Sequence, residues 1–274
     1  MITASFRHIA GIGPLRERQL WFSGVRSWGE LPAAGDVLSP RLDGRLRAGV
    51  SLSRERFDAG DLDHFARALP QTEHWRLLPQ LIDGAGYLDI EAAGDRVTVI
   101  GVMDSLGVRS FVGEAISEFP ARALSWKCLV TFNGTAFDLP ILRRVFPEWQ
   151  PPAAHIDLRH VFARLREKGG LKELEQRFGL FRPPELAALS GADAAGLWAA
   201  RGSPGALRRL LLYNLYDVFH LKPLAELGYN RLLKRTGLPA PELPLTERGS
   251  LLYDVSLAAE AALQSWLGGA QPGE

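Results

Sequence analysis

The sequence predicts an α/β protein, a mixed β-sheet flanked by helices with a small helical region in front of it. Two observations carry the prediction. Within residues 80–228, short β-branched and apolar runs sit between Asp-Gly, Gly-Asp and Leu-Gly turn signals, first three in succession and then alternating with helical stretches. A meander followed by strand–helix alternation gives a mixed sheet, not a purely parallel one. In addition, 46% of the 274 residues are hydrophobic and 23% are charged, which supplies enough apolar material for a buried core.

In residues 1–35 the run HIAGIGPLRERQLW predicts a tight glycine turn leading into a short helix. Pro14 suits its first position, Leu15, Gln19, Leu20 and Phe22 to Val25 give a partly apolar face, and Gly24 falls where a C-cap belongs. Pro32, Gly35 and Pro40 are expected to break the chain. Residues 36–79 read as linker and helical lead-in, with Ser51 or Ser53 as N-cap and Phe57, Leu62, Phe65, Ala68 and Leu69 at helical spacing. The domain at 80–228 opens with strands near 86–91, 96–103 and 108–113, followed by a helical stretch at 114–125. WKCLVTFN then reads as a strand, AFDLPILRRVF as a helix, HIDLRHVFARLR as strand or turn into helix, and KELEQRFG as a helix ending at Gly179. ALRRLLLYNLYDVFHLKPLAEL is the longest apolar-periodic helix and is expected to end near Gly228. The tail at 229–274 holds one further helix, at about 250–267, and a frayed GGAQPGE end.

Charge and cysteine content narrow the function classes. Lys plus Arg is 32 against Asp plus Glu 31, a net charge of +1, so a polyanion would have to be held by local patches and not by a global field. The single Cys128 makes neither an internal disulfide nor a CxxC metal motif, and a reducing, cytoplasmic setting is expected. Arg7 and His8 interrupt the N-terminus before any apolar leader core, and no stretch approaches the ~18 apolar residues of a membrane span.

Four acidic residues lie in otherwise apolar elements, where an ionised carboxylate is costly unless something binds it: Asp89, Glu91, Asp138 and Asp217. Asp89 and Glu91 flank Ile90 on a predicted strand, and the period of two puts both side chains on one face. Asp138 opens a helix, and Asp217 follows Tyr213 by one helical turn. Clustered carboxylates repel unless a cation joins them. Hard oxygen ligands suit Mg²⁺ or Mn²⁺, and two such ions roughly 4 Å apart activate a water and stabilise the leaving oxygen in phosphoryl transfer. Each residue also has a purely structural alternative: an edge strand for Asp89 and Glu91, an N-cap for Asp138, pairing with Lys222 or Arg208 for Asp217, and a core aromatic for Tyr213.

The segments DIE at 89–91, N-x-x-x-F-D from Asn133 to Asp138, and Y-x-x-x-D from Tyr213 to Asp217 resemble, in order and spacing, the three motifs of the DEDD exonuclease superfamily. The tyrosine four residues before the last aspartate is similar to the DEDDy subclass, and LVTFNGTAFDLPIL, HIDLRHVF, GGLKELEQRFG and YNLYDVFHL resemble the YprB-like group. The resemblance spans about 86–224. It implies an RNase H-like fold in which Asp89, Glu91, Asp138 and Asp217 hold two Mg²⁺ or Mn²⁺ ions, Tyr213 orients the attacking water, and single-stranded DNA or RNA is hydrolysed from its 3′ end. Two positions depart from the pattern. Ala92 and Ala93 stand where the family's first motif usually continues with two threonines, and the YprB-like group often has histidine at the position of Tyr213. A non-catalytic binding protein and a structure-selective endonuclease stay open as alternatives.

Asn133 either touches substrate or forms the turn before Gly134. His155 and Asp157 read as a loop anchor, and His220 as a packing or surface residue. The GIGP run resembles the hairpin of helix-hairpin-helix modules, which implies phosphate binding by the backbone at Gly11 and Gly13 with help from Arg16. Basic residues at 143–144, 159–168, 208–209 and 231–235, interspersed with Phe162, Phe178 and Phe181, are consistent with a nucleic-acid rim.

Overall fold

The computed structural model describes residues 2–31, 36–94, 96–246 and 252–269. Five strands form one sheet in the order β3-β2-β1-β4-β5: β1 Ala85–Ala93, β2 Arg96–Asp104, β3 Gly107–Val112, β4 Cys128–Thr131 and β5 Ala154–Asp157. β1, β2 and β3 are antiparallel, whereas β4 and β5 run parallel to β1. The expected mixed sheet is therefore present, and helices cover both of its faces.

Alternation along β1 divides the core. Leu88 and Ile90 enter a cluster with Ile100, Phe111, Phe119, Leu129, Ile141 and Leu142, under the helix Asp138–Val145. Tyr87 and Val99 face the opposite cluster, which contains the long helix Pro204–Thr236. Leu207, Leu210, Leu211 and Leu215 of that helix are fully buried, and each such side chain contributes about 1.5–3 kcal/mol by leaving water.

The long helix does not stop near Gly228; it continues to Thr236 and ends at Gly237 in a left-handed conformation, φ 73°. Gly228 serves packing: a Cβ there would lie 2.7 Å from Val161 Cγ1. The helix therefore carries the 80–228 unit into the 229–274 tail without a break, and Leu252–Gly269 packs back against it and β3. The expected frayed end lies mostly at 270–274, outside the described residues.

In front of the sheet, Pro40 does not break the chain but opens the 19-residue helix Pro40–Asp58. Its missing N–H is harmless in the first turn, where no intrahelical acceptor exists. Ser51 and Ser53 are consequently inside a helix and not at its start; Ser53 Oγ donates to Gly49 O at 2.6 Å. Pro32 and Gly35 lie outside the described residues.

Helix Pro14–Phe22 starts at Pro14 as expected, and Gly24 adopts φ 89° just beyond its end. The apolar face is different. Leu15 is 75% and Phe22 90% exposed, while Glu17, Leu20 and Trp21 are buried. Glu17 can be inside because its carboxylate accepts from Phe6 N at 2.8 Å and from Arg76 Nη2 at 2.9 Å. Periodicity that counts only apolar residues does not find such a face. Among the described residues no helix is long and apolar enough to cross a membrane.

Candidate active site

Asp89 and Glu91 project from the same face of β1, and Asp217 reaches them from the long helix. One carboxylate oxygen from each lies within 4.8 Å of the others. The approach of the helix depends on Gly101, paired with Asp89 across the β1–β2 ladder: a Cβ at Gly101 would lie 2.1 Å from Asn214 Oδ1. Asn214 sits fully buried in the apolar run of the helix and donates Nδ2 to Asp89 Oδ2 at 2.8 Å and to Asp89 O at 3.2 Å.

Asp138 is outside the group of three that meet within 4.8 Å, and it does not cap its own helix, whose N-cap is Phe137. Its Oδ1 accepts from Ile90 N at 3.0 Å. The reason is the length of β4, whose pairing with β1 ends at Tyr87–Val130. Beyond that point the β1 amides on this side have no strand partner, and a buried N–H must find another acceptor. The contact places the Asp138 carboxylate beside the backbone that joins Asp89 to Glu91.

Electrostatics follow from this crowding. Burial raises the Asp89 carboxyl well above the usual range, and Asp217, Asp138 and Glu91 add to the rise. Burial, then Asp217 and Asp138, push Glu91 up to about 8. Burial lifts Asp138 to about 7 against the opposing hydrogen bond from Ile90. Asp217 is also raised by burial, although Arg182 works against it.

Arg182, which the sequence does not single out, is an internal counter-ion here. Its Nε and Nη2 donate to Glu175 at 2.7 and 2.5 Å, and Nη2 also bonds Asp217 Oδ1. His220 Nδ1 lies 3.0 Å from Glu175 Oε1, so His220 is a buried residue behind the site and not a surface one. Neither Lys222 nor Arg208 is the partner of Asp217; Arg208 pairs with Glu260 at 3.4 Å. Tyr213 is 7% exposed, with Lys172 Nζ 4.6 Å and Arg182 Cζ 5.5 Å from its ring centre. Burial, then Asp217 and Glu91, raise its hydroxyl, which therefore stays protonated at neutral pH.

Asn133 adopts φ 66°, and its Oδ1 accepts from Arg159 Nη1 at 2.8 Å. Asp157 holds the same turn by accepting from Asn133 N at 2.8 Å and Thr135 N at 3.0 Å, and His155 Nε2 contacts Thr131 Oγ1 at 2.9 Å. The pair anchors the loop that leads into Asp138. Gly11, with φ 90°, accepts through its carbonyl from Arg16 Nη1 at 2.6 Å, and Gly13 is the N-cap of the next helix. Gly11, Gly13 and Arg16 share no hydrogen bond with the carboxylates. Several basic residues of the expected rim are ion-paired, Arg164 to Glu73 and Arg231 to Glu167 among them.

Hard carboxylate oxygens converging in a buried setting are a donor set that fits a divalent cation of the Mg²⁺ or Mn²⁺ type. A mixed five-stranded sheet flanked by helices, with Asp89 and Glu91 on its central strand, fits an RNase H-like α/β fold of nuclease type, and nucleases with that fold typically use divalent metals. Residues 86–229 match the family model of the RNase H superfamily, and the chain belongs to that superfamily. Neither a search of curated proteins nor one of solved structures gives a match.

Proposed function

We propose that this protein is a metal-dependent 3′→5′ exonuclease of the DEDDy, YprB-like kind, acting on single-stranded DNA or RNA ends. The observation that carries the reading is the convergence of Asp89, Glu91 and Asp217 oxygens within 4.8 Å. Asp89, Glu91, Asp138 and Asp217 are the residues that would hold two Mg²⁺ or Mn²⁺ ions. Bound there, such ions supply an activated water at neutral pH and charge stabilisation for the leaving 3′ oxygen.

The protein's own part is positioning. Asn214 fixes the Asp89 carboxylate, and Gly101 lets Asn214 approach. Arg182 restrains Asp217, and Glu175 with His220 restrains Arg182. Tyr213 keeps its hydroxyl proton and orients the attacking water through a hydrogen bond. Asn133 and the backbone of Gly11 and Gly13 with Arg16 are further contacts to the strand in this reading. The products are nucleoside 5′-monophosphates.

The test is degradation of 5′-labelled DNA and RNA oligonucleotides in Mg²⁺, Mn²⁺ or EDTA, beside Asp89→Asn, which keeps an acceptor for Asn214. The expected result is a metal-dependent ladder shrinking from the 3′ end, with mononucleotide product and a loss of at least ~10³-fold in the variant, the scale of a missing group that stabilises transition-state charge. Internal fragments would make it an endonuclease. Binding without cleavage in either metal would make it a non-catalytic nucleic-acid-binding protein.

A further inference from the structure

Beside the carboxylates, two cations each carry a shielded donor without an acceptor. Lys172 Nζ is shielded from solvent and has no hydrogen-bond partner. Arg182 is 9% exposed; Nε and Nη2 are committed to Glu175 and Asp217, but Nη1 is buried with no acceptor. Both cations stand against one ring, that of Tyr213, and both line one cavity of about 70 Å³ together with Phe181. Phe181 is 73% exposed, which is unusual for a side chain of its size beside a buried ionic group.

Leaving a buried donor unsatisfied costs about 1–3 kcal/mol, and more for a charged one. Two such donors, on residues that line one cavity together with Glu175, point to an acceptor that the chain itself does not supply. The cation–π contact that occupies Lys172 is worth about 0.5–2 kcal/mol and is weaker than a charge-assisted bond to an anionic oxygen. Its flexible four-carbon stem lets the ammonium leave the ring for a better acceptor without backbone motion. An acceptor that engages an ammonium and a guanidinium N–H together, next to a flat exposed aromatic ring, has the chemistry of a phosphodiester with its base.

We propose that Lys172 Nζ and Arg182 Nη1 clamp a backbone phosphate of the bound strand, and that Phe181 stacks the base beside it. The inference rests on the nuclease reading above and adds to it the residues that grip the strand. In this arrangement Arg182 bridges Asp217 and the phosphate, so the strand is registered against the carboxylates by a single side chain.

The experiment is fluorescence anisotropy of 5′-labelled DNA and RNA oligonucleotides in EDTA over a range of salt, with wild type, Lys172→Gln, Lys172→Arg and Phe181→Ala. Lys172 is half-buried and Phe181 exposed, so these variants keep the fold, which thermal melting verifies. Removing one phosphate contact lowers the slope of log K against log[salt] by about 0.7 for a single strand. Lys172→Gln is expected to show that drop with weaker binding, and Lys172→Arg to restore the slope. Phe181→Ala is expected to weaken binding about 5- to 150-fold with the slope unchanged, the range for one lost base stack. Tight wild-type binding with an unaltered slope in Lys172→Gln would overturn the clamp and leave the nuclease reading standing. A wild-type protein that neither binds oligonucleotides nor degrades them with Mg²⁺ or Mn²⁺ would overturn both.

Discussion

Around Arg76 charge is matched, and around Asp89 it is not. Arg76 is 3% exposed and spans Glu17 and Glu73, which are 2% and 5% exposed. Glu73 also meets Arg164 at 3.0 Å and Arg7 at 3.8 Å. Burial would raise Glu73, yet Arg76, Arg164 and Arg7 outweigh it and hold the carboxyl below its usual range. Around β1 the acids are Asp89, Glu91, Asp138 and Asp217, with Arg182 shared between Asp217 and Glu175. Their carboxyls rise first because of burial, and the repulsion of neighbouring acids, only partly offset by Arg182, adds to the rise. Burial acts in both groups and raises Glu17 as well; the difference is that three arginines hold Glu73 down while the acids around β1 also repel one another. The N-terminal group is a tie that joins segments 59 residues apart; the group on the sheet is an acidic cluster with the donor set of a divalent-cation site.

The largest effect is expected at the matched group. Arg76→Ala leaves two buried carboxylates without their partner and should lower unfolding stability by about 3–5 kcal/mol, read by urea denaturation, with no recovery on adding Mn²⁺. Arg182→Ala should cost about 2–3 kcal/mol in EDTA, but here Mn²⁺ should restore much of the loss, because a metal ion replaces the missing positive charge at Asp217. Equal rescue of both variants, or of neither, would remove the distinction.

The pH dependence tests the same surplus of acid. Glu91 at about 8 and Asp138 at about 7 titrate near 4 when the chain is unfolded. Between about pH 4 and 8 these two groups hold protons that they have released in the unfolded chain, so their contribution to metal-free stability falls as pH rises through that window. His8, His74 and His155, which burial holds below the usual histidine range, work in the opposite direction below about pH 7. The melting midpoint in EDTA should therefore drop on the order of 3 °C from about pH 7.5 to 9, and Mn²⁺ should flatten or reverse the trend. A midpoint independent of pH in EDTA would contradict it. The smallest effect is expected for Gly101→Ala. Its Cβ would press on Asn214, which lies within 2.1 Å, so the variant should lose about 1–3 kcal/mol and bind Mn²⁺ more weakly, measured by calorimetry.

The strands, the run of helices behind them and the shared face of Asp89 and Glu91 were legible from the sequence, because alternation with period two and helical spacing are local properties of the chain. So was the position of Tyr213 one turn before Asp217, which one helix fixes by itself. The start of a helix at Pro40 and the passage of the long helix through Gly228 were not. A proline or glycine reads the same in sequence whether it ends an element, opens one or admits a neighbour, and here Val161 decides the matter at Gly228. Arg182, Glu175 and Asn214 were likewise invisible as members of the site. No spacing rule links Arg182 to Asp217 or Asn214 to Asp89, 35 and 125 residues apart; the packing of the long helix, over Gly101 in the case of Asn214, brings them together. The sequence by itself determined which acids sit in apolar elements and which face of β1 carries them. Tertiary structure decided which of those acids meet, which cation they keep and how much charge stays unbalanced, since electrostatic balance is a sum over neighbours that the order of residues does not list.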